Sequence, residues 1–487
     1  MKMNTIKNRI VFALALCIGV ACSDDFVEVT SENESSDNYF NSEEDYQQAL
    51  IGAYDLLQAT YLNVMIGEIA SDNTLAGGES ANDVIGLQQI DDMQHTPVNQ
   101  QLRDVWNWMF AGVNRANYIL QYQDKTDFPG KNEVIGQARF LRAYYYFELV
   151  KFFGDVPLVV DKPLEFGDQF SVERTPKEEV YDQIEADLIF AAENLPATQE
   201  QAGRITSGAA NALLGKAYLY QEQYAEAATA LEKVINGPYS LVEDYASIFE
   251  QEGENGPGSV FEIQYTDKEG AGFGCLQCSE GNVAVGFNGI RNYNGPVFDS
   301  GFSFNVPTQD AVDAFENGDI REDVAILDIE SFAAQNGATY VEGYEHTGYY
   351  NRKYLARKGD LNTGDQNLTN PNNYRSIRFA DVLLMAAEAN YLKSNSDPEK
   401  AKMYLNRVRE RAELNPVTEN GADLLDAIYQ ERRVELLGEG HRFFDLVRTG
   451  RAVAEIEGFQ TGKNEVFPIP QIEIELAGNN WEQNPGY

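Results

Sequence analysis

Residues 207–239 read SGAANALLGKAYLYQEQYAEAATALEKVINGPY, and the spacing of the apolar side chains in this stretch dictates a tertiary shape. Ala210, Leu213, Leu214, Ala217 and Tyr218 recur at intervals of three and four, as do Tyr224, Ala227, Ala228, Leu231 and Val234. Such intervals place each set on one face of an α-helix, so the stretch predicts two helices folded back on each other. Both faces are narrow and rich in small residues, which lets the helices approach closely.

Leu214-Gly215, Ala217-Tyr218, Tyr224, Ala227, Leu231 and Pro238 follow the tetratricopeptide pattern almost position by position, with Pro238 one residue early and Asn211 in place of the usual tryptophan. One hairpin of this kind cannot bury its apolar face alone, so further helical pairs must stack against it. The chain supplies candidates. Ser42 caps a predicted helix running to about residue 61, with Ala49, Leu50, Ala53, Leu56 and Leu57 on its apolar face. A helix is predicted over 105–122. Another, over 134–153, carries Phe140, Tyr144, Tyr145, Tyr146 and Phe147 on too many faces for solvent, which makes it central. Thr175-Pro176-Lys177-Glu178 reads as a capping box with proline at the first helical position. A small-residue helix over 378–393 and a partner from Asp397-Pro398 to about 411 make a further hairpin. The fold expected is mainly α, with helix pairs within about 42–238 and 378–412.

Lys and Arg total 37 against 77 Asp and Glu, a formal charge of -40 that repels phosphate backbones and anionic lipid surfaces. Nucleic acid is therefore not an expected partner, and a neutral ligand is easier to accept than a polyanion. Four cysteines in 487 residues exclude a disulfide scaffold.

The chain opens with Lys2, Lys7 and Arg9, an apolar run over 10–16 and small residues before Cys22, the layout of an export signal too short to span a membrane. Gly19-Val20-Ala21-Cys22 resembles a bacterial lipobox, with Gly19 where leucine is commoner, and Ser23-Asp24-Asp25 resembles the acidic tag of surface-exported Bacteroidetes lipoproteins. The expected organisation is a signal over 1–21, acylation at Cys22, a tether over 22–41 and one domain over 42–487.

Two stretches stand apart from the helical pattern. Residues 71–101 are polar and glycine-bearing, a long excursion of the sort that is usually functional or mobile rather than scaffold. After a short strand predicted over 259–265, residues 266–307 are dense in glycine and turns; a loop-rich binding subdomain is expected over about 259–375.

Glu431-Arg432-Arg433-Val434-Glu435-Leu436 with Glu439-Gly440-His441-Arg442-Phe443-Phe444-Asp445-Leu446-Val447-Arg448 strongly resembles the C-terminal signature of SusD/RagB surface lipoproteins. Phe467-Pro468-Ile469-Pro470-Gln471, the ending Gln483-Asn484-Pro485-Gly486-Tyr487, Asn114-Arg115-Ala116-Asn117 and Arg378-Phe379-Ala380-Asp381-Val382-Leu383-Leu384 resemble that family in the same order. The resemblance implies about four tetratricopeptide-like helix pairs, an irregular binding face and a family signature over 431–487. It also implies a surface protein of the outer membrane that binds oligosaccharide and acts as a hinged lid over a SusC-type TonB-dependent transporter. A neutral β-glucan such as laminarin is the first expectation for the ligand; a RagB-like lid for peptides and a surface glycoside hydrolase are the alternatives.

Sugar recognition needs flat aromatic faces together with amides, carboxylates or guanidinium groups. Two loops offer that mixture: Asp72, Asn73, Asn82, Asp83 and His95 in the first, and Phe273, Phe287, Asn288, Arg291, Asn292, Tyr293 and Phe298 in the second. The competing reading is that these aromatics only pin down a long loop. Glu439, His441 and Asp445 combine acid and base groups but sit in or beside a helix and read as structural; no catalytic residue is expected. Cys275 and Cys278 lack the further ligands a metal needs and read as a disulfide or two free thiols. No metal ligand and no cofactor is expected, although the many carboxylates leave a structural calcium ion open.

Overall fold

Helix stacking begins at Ser42, the expected cap, which forms a full capping box with Asp45: the Ser42 hydroxyl accepts from the Asp45 N–H and the Asp45 carboxylate accepts from the Ser42 N–H. The computed structural model describes residues 39–160, 162–163, 167–359 and 368–487. The predicted export signal, acylation at Cys22 and most of the tether lie outside the described residues.

The first helix, α1 (Glu43–Asp55), is shorter than predicted, passing into a 3-10 turn at Leu56–Thr60 and then α2 (Tyr61–Ile69). The excursion that follows contains α3 (Ile85–Asp91), and α4 (Gln100–Gln121) begins where the Asn99 side chain accepts from the Leu102 N–H. The central α5 (Lys131–Phe153) is buried on nearly every side, with Phe140, Tyr145, Tyr146, Phe152 and Phe153 fully enclosed. Next comes α6 (Lys177–Asn194), whose predicted capping box does not form. Pro176 stands at the cap with no side-chain bond, Thr175 is drawn into a short pairing with Val156, and Asp155 accepts from the Lys177 N–H instead.

The tetratricopeptide-like hairpin of residues 207–239 is α7 (Ser207–Tyr220) and α8 (Tyr224–Ile235). Gly215 is required at its crossing, since a Cβ there would lie 2.5 Å from Leu231 Cγ. Helices α9 (Phe379–Leu392) and α10 (Pro398–Arg411) form the later pair, with Asp397 capping α10. Packing runs in series, α4 on α5, α5 on α6, α6 on α7, α7 on α8, α8 on α9 and α9 on α10, while α1 lies against α4. This is the stacked helical-pair array required by the apolar face of a lone hairpin. The fold is mainly α, and α11 (Ala422–Leu436) and α12 (Arg442–Arg448) follow the array in the chain, with α11 packed against α9. No helix among the described residues is long and apolar enough to cross a membrane.

The irregular region is organised by short two-stranded pairings. Within it β1 (Thr74–Leu75) pairs with β5 (Val306–Pro307), and β2 (Ser259–Ile263) with β8 (Tyr374–Arg378). The parallel contact of β3 (Ile290–Arg291) with β4 (Ser300–Gly301) and the antiparallel pair β6 (Ile326–Asp328) and β7 (Tyr349–Asn351) complete it. Beneath these lies a small separate core that includes Ile290, Tyr293, Phe298 and Tyr350.

Candidate functional site

The C-terminal signature is a buried ionic clamp. Glu435 on α11 binds Arg378 (2.7 Å), Arg321 (3.0 Å) and Arg411 (2.6 Å), groups drawn from three distant segments. Burial alone would raise its carboxyl, but the guanidinium groups of Arg411, Arg378 and Arg321 outweigh it and hold the group well below the usual carboxylate range. Glu439 is divided between Arg378 and Lys353. Asp445, despite burial, is lowered to about 2 by Arg432 and Arg448, which its two oxygens bind. His441 is kept neutral by burial first and by the neighbouring charges of Lys216 and Arg432 second. With the carboxylates of Glu439 and Asp445 engaged and the imidazole enclosed, these residues bolt α11 and α12 to α9 and to the irregular region.

The same clamp corrects the placement of Asp72 and Asn73 on an open binding loop. Both Asp72 oxygens bind Arg442, at 2.7 and 2.6 Å, and Arg433 approaches at 3.1 Å. Asn73 is fully buried and accepts from Arg433 Nε. His95 is likewise enclosed: Nε2 lies 2.7 Å from the Tyr487 hydroxyl and the ring packs on Phe467, so burial, aided by Lys463, lowers its pKa to about 4. In the second loop Asn288 is buried against Asn305 and the Tyr354 carbonyl, and Phe298 is buried against Phe332 and Arg357. Tyr293 is buried too, its hydroxyl donating to the Pro296 carbonyl. As placed, these side chains support the loops and offer no open face to a ligand.

Asp83 and Arg291, by contrast, meet at the surface although 208 residues apart, with Arg291 Nη2 3.3 Å from Asp83 Oδ2. Arg291 also donates to the Phe302 carbonyl (2.7 Å) and the Ser303 hydroxyl (3.3 Å), so one guanidinium fastens two loops. A third loop joins them: the Val341 N–H donates to the Arg291 carbonyl, and the Tyr344 N–H to the Gly78 carbonyl. Gly343 permits this approach, because a Cβ there would stand 2.5 Å from the Gly78 oxygen. Glu79, Asn82, Asn292 and Asn294 are exposed around the junction.

An aromatic ladder reaches this surface from the core. Ring centres step from Tyr61 to Phe287 (6.2 Å), to Phe302 (5.8 Å) and to Phe273 (5.7 Å), which is 58% exposed. Phe273 rides on a loop closed at its base by the Thr266 N–H donating to the Glu280 carbonyl, and beyond its tip by a disulfide between Cys275 and Cys278. The platform thus combines an exposed ring on a fixed stack with amide, carboxylate and guanidinium groups, the means to stack on a sugar's C–H face and bond its hydroxyls. Sequence reasoning placed the third loop inside the binding subdomain expected over about 259–375 but named none of its residues, nor Phe302; glycines at 337 and 343 with Tyr340 and Tyr344 between and beside them were the available signal. Beside the platform Asp91 is raised to about 7, chiefly by burial. Among the described residues no group of three or more His, Cys, Asp or Glu side chains is placed to hold a metal ion.

Comparison with known proteins agrees with this architecture. Residues 328–466 match the model of the SusD family, and residues 25–219 match a family described as starch-binding, associating with the outer membrane. SusD-like protein P2 of Formosa agariphila is 27% identical over 523 residues, covering 99% of this chain and 100% of the relative. Among solved structures, surface glycan-binding protein A from Bacteroides thetaiotaomicron, in complex with laminarihexaose, is 28% identical with a TM-score of 0.81, covering 91% of this chain and 99% of that one. A laminarin binding SusD-like protein is 35% identical with a TM-score of 0.83 and covers 92% of this chain and 100% of that one. On that likeness, together with the signature clamp and the stacked helical pairs, the chain belongs to the SusD-like family.

Proposed function

We propose that this protein captures a neutral oligosaccharide at the platform formed by loops 77–83, 291–303 and 338–345, and performs no chemistry on it. The observation that carries the reading is the exposed Phe273 ring, held on its aromatic stack against Phe302, whose backbone carbonyl accepts from the Arg291 that pairs with Asp83. A β-glucan of the laminarin type is the proposed ligand, supported by the laminarin binding relative that is 35% identical over nearly the whole chain. In this reading the chain is anchored through an acylated Cys22 on the outer face of the outer membrane and passes its ligand to a SusC-type TonB-dependent transporter, over which it acts as a lid. Capture of this kind requires no cofactor.

Electrophoresis of the soluble domain, from residue 23 onward, through gels containing laminarin, starch, levan, xylan, mannan, pectin or alginate tests the ligand class. Retardation by laminarin is expected, with retardation lost in Phe273→Ala. No retardation in any gel contradicts glycan capture and turns the search to peptides. Reducing ends accumulating over hours with purified protein would contradict the non-enzymatic reading.

A further inference from the structure

Two cavities, of about 380 and 280 Å3, lie side by side and have neither Phe273 nor any residue of loops 77–83, 291–303 and 338–345 in their walls. They share Gln201, Ala202, Gly203, Arg204 and Glu262, so they are two halves of one groove, between the connection from α6 to α7 and strand β2. Sites for small ligands typically span ~300–1,000 Å3.

The groove is lined for hydroxyl-rich, uncharged chains. Ile51 is 58% exposed at one end, and close by the Arg204 guanidinium lies 5.3 Å from the Tyr54 ring centre while its Nε donates to Gln201 Oε1. Gln264 and Asn255 hold each other through reciprocal amide bonds of 3.1 and 3.0 Å. Gln58 is fixed by donating to the backbone carbonyls of Gln264 and Glu280. Amides ordered in advance lose little freedom when a ligand arrives. Glu262 and Glu280, set against the one lining guanidinium, disfavour an anionic ligand. Apolar surface alternating with fixed amides is what a sugar's C–H faces and hydroxyls require.

The groove also adjoins the loop that carries Phe273. Gln264 lines it just before the loop begins and Glu280 lines it where the loop ends. Gln264 and Phe273 are nine residues apart, a reach of at most about 30 Å.

We infer that the groove is a second oligosaccharide subsite, engaged together with the platform by a long glycan, and that it gives the protein avidity for polymer over short oligosaccharide. The inference rests on glycan capture at the platform. Two weak contacts on one chain multiply, because the second is made at high effective concentration.

The test compares laminarin polymer with laminaritriose by titration calorimetry on wild type, Ala202→Glu and Arg204→Gln. Ala202→Glu extends a carboxylate into the groove beside Arg204; Arg204→Gln removes the cation and serves alone if the first variant does not fold. Polymer affinity is expected to fall tenfold or more in these variants, with triose affinity and thermal melting unchanged. Polymer binding at wild-type strength in the folded variants overturns the second subsite and leaves platform capture standing. A parallel loss of triose affinity also overturns it, since the groove would then be the primary site. Wild type that binds neither ligand sinks the laminarin reading itself, and the inference with it.

Discussion

Phe273 and Tyr293 are both aromatic residues of the glycine-rich region 266–307, on two different loops, yet replacing each by alanine has opposite consequences. Phe273 is 58% exposed, so Phe273→Ala is expected to weaken glycan binding tenfold or more while the thermal midpoint stays within about a degree, read by calorimetry and thermal melting. Tyr293 fills the small core beneath the platform, so Tyr293→Ala is expected to cost about 3–5 kcal/mol in urea unfolding, with binding lost through that unfolding. The sequence identifies the region but does not separate the two, because irregular backbone has no periodicity from which to read a side chain's direction. His95 shows the same limit: a histidine in a polar loop turned inward onto Phe467 and Tyr487. Its folded pKa of about 4 lies below the unfolded ~6.5, so its contribution to stability is full above pH 6.5 and is lost as pH falls toward 4. At ~1.4 kcal/mol per unit the whole loss is about 3 kcal/mol. Denaturation at pH 7.5 and pH 5 checks this; His95→Gln is expected to lose about 2 kcal/mol less than wild type between those values.

At the scale of elements, the helical pairs were legible because their apolar spacing is a local property, whereas α11 and α12 depend on partners far away in the chain. The signature motif identified the family, but Arg321, Lys353, Arg378 and Arg411 become partners of Glu435 and Glu439 only in the folded chain. Breaking a buried ion pair strands the surviving charges, so Glu435→Gln is expected to destabilise by about 3–5 kcal/mol in urea titration. Asp445 adds an acid limit. Its folded pKa of about 2 lies below the unfolded ~3.9, so its stabilisation is complete above about pH 5 and is lost as pH falls toward 2. Local rules also failed where tertiary contacts competed, as at Thr175, whose capping box gave way to strand pairing and the Asp155 carboxylate.

For the whole molecule, a formal charge of -40 opposes every polyanion, and this was readable from composition alone. Alginate and pectin are accordingly expected to leave electrophoretic mobility unchanged at low salt. What composition does not convey is the division of labour in the fold: a rigid helical array, a buried clamp and three loops fastened by Arg291 into one exposed platform. The measurement that bears most directly on capture at that platform is titration of the purified soluble domain with laminarin oligosaccharides, wild type beside Phe273→Ala. Saturable binding by wild type, weakened tenfold or more in a variant with an unchanged melting temperature, is the predicted result. Equal affinity in the two proteins, or no binding by wild type, would contradict it.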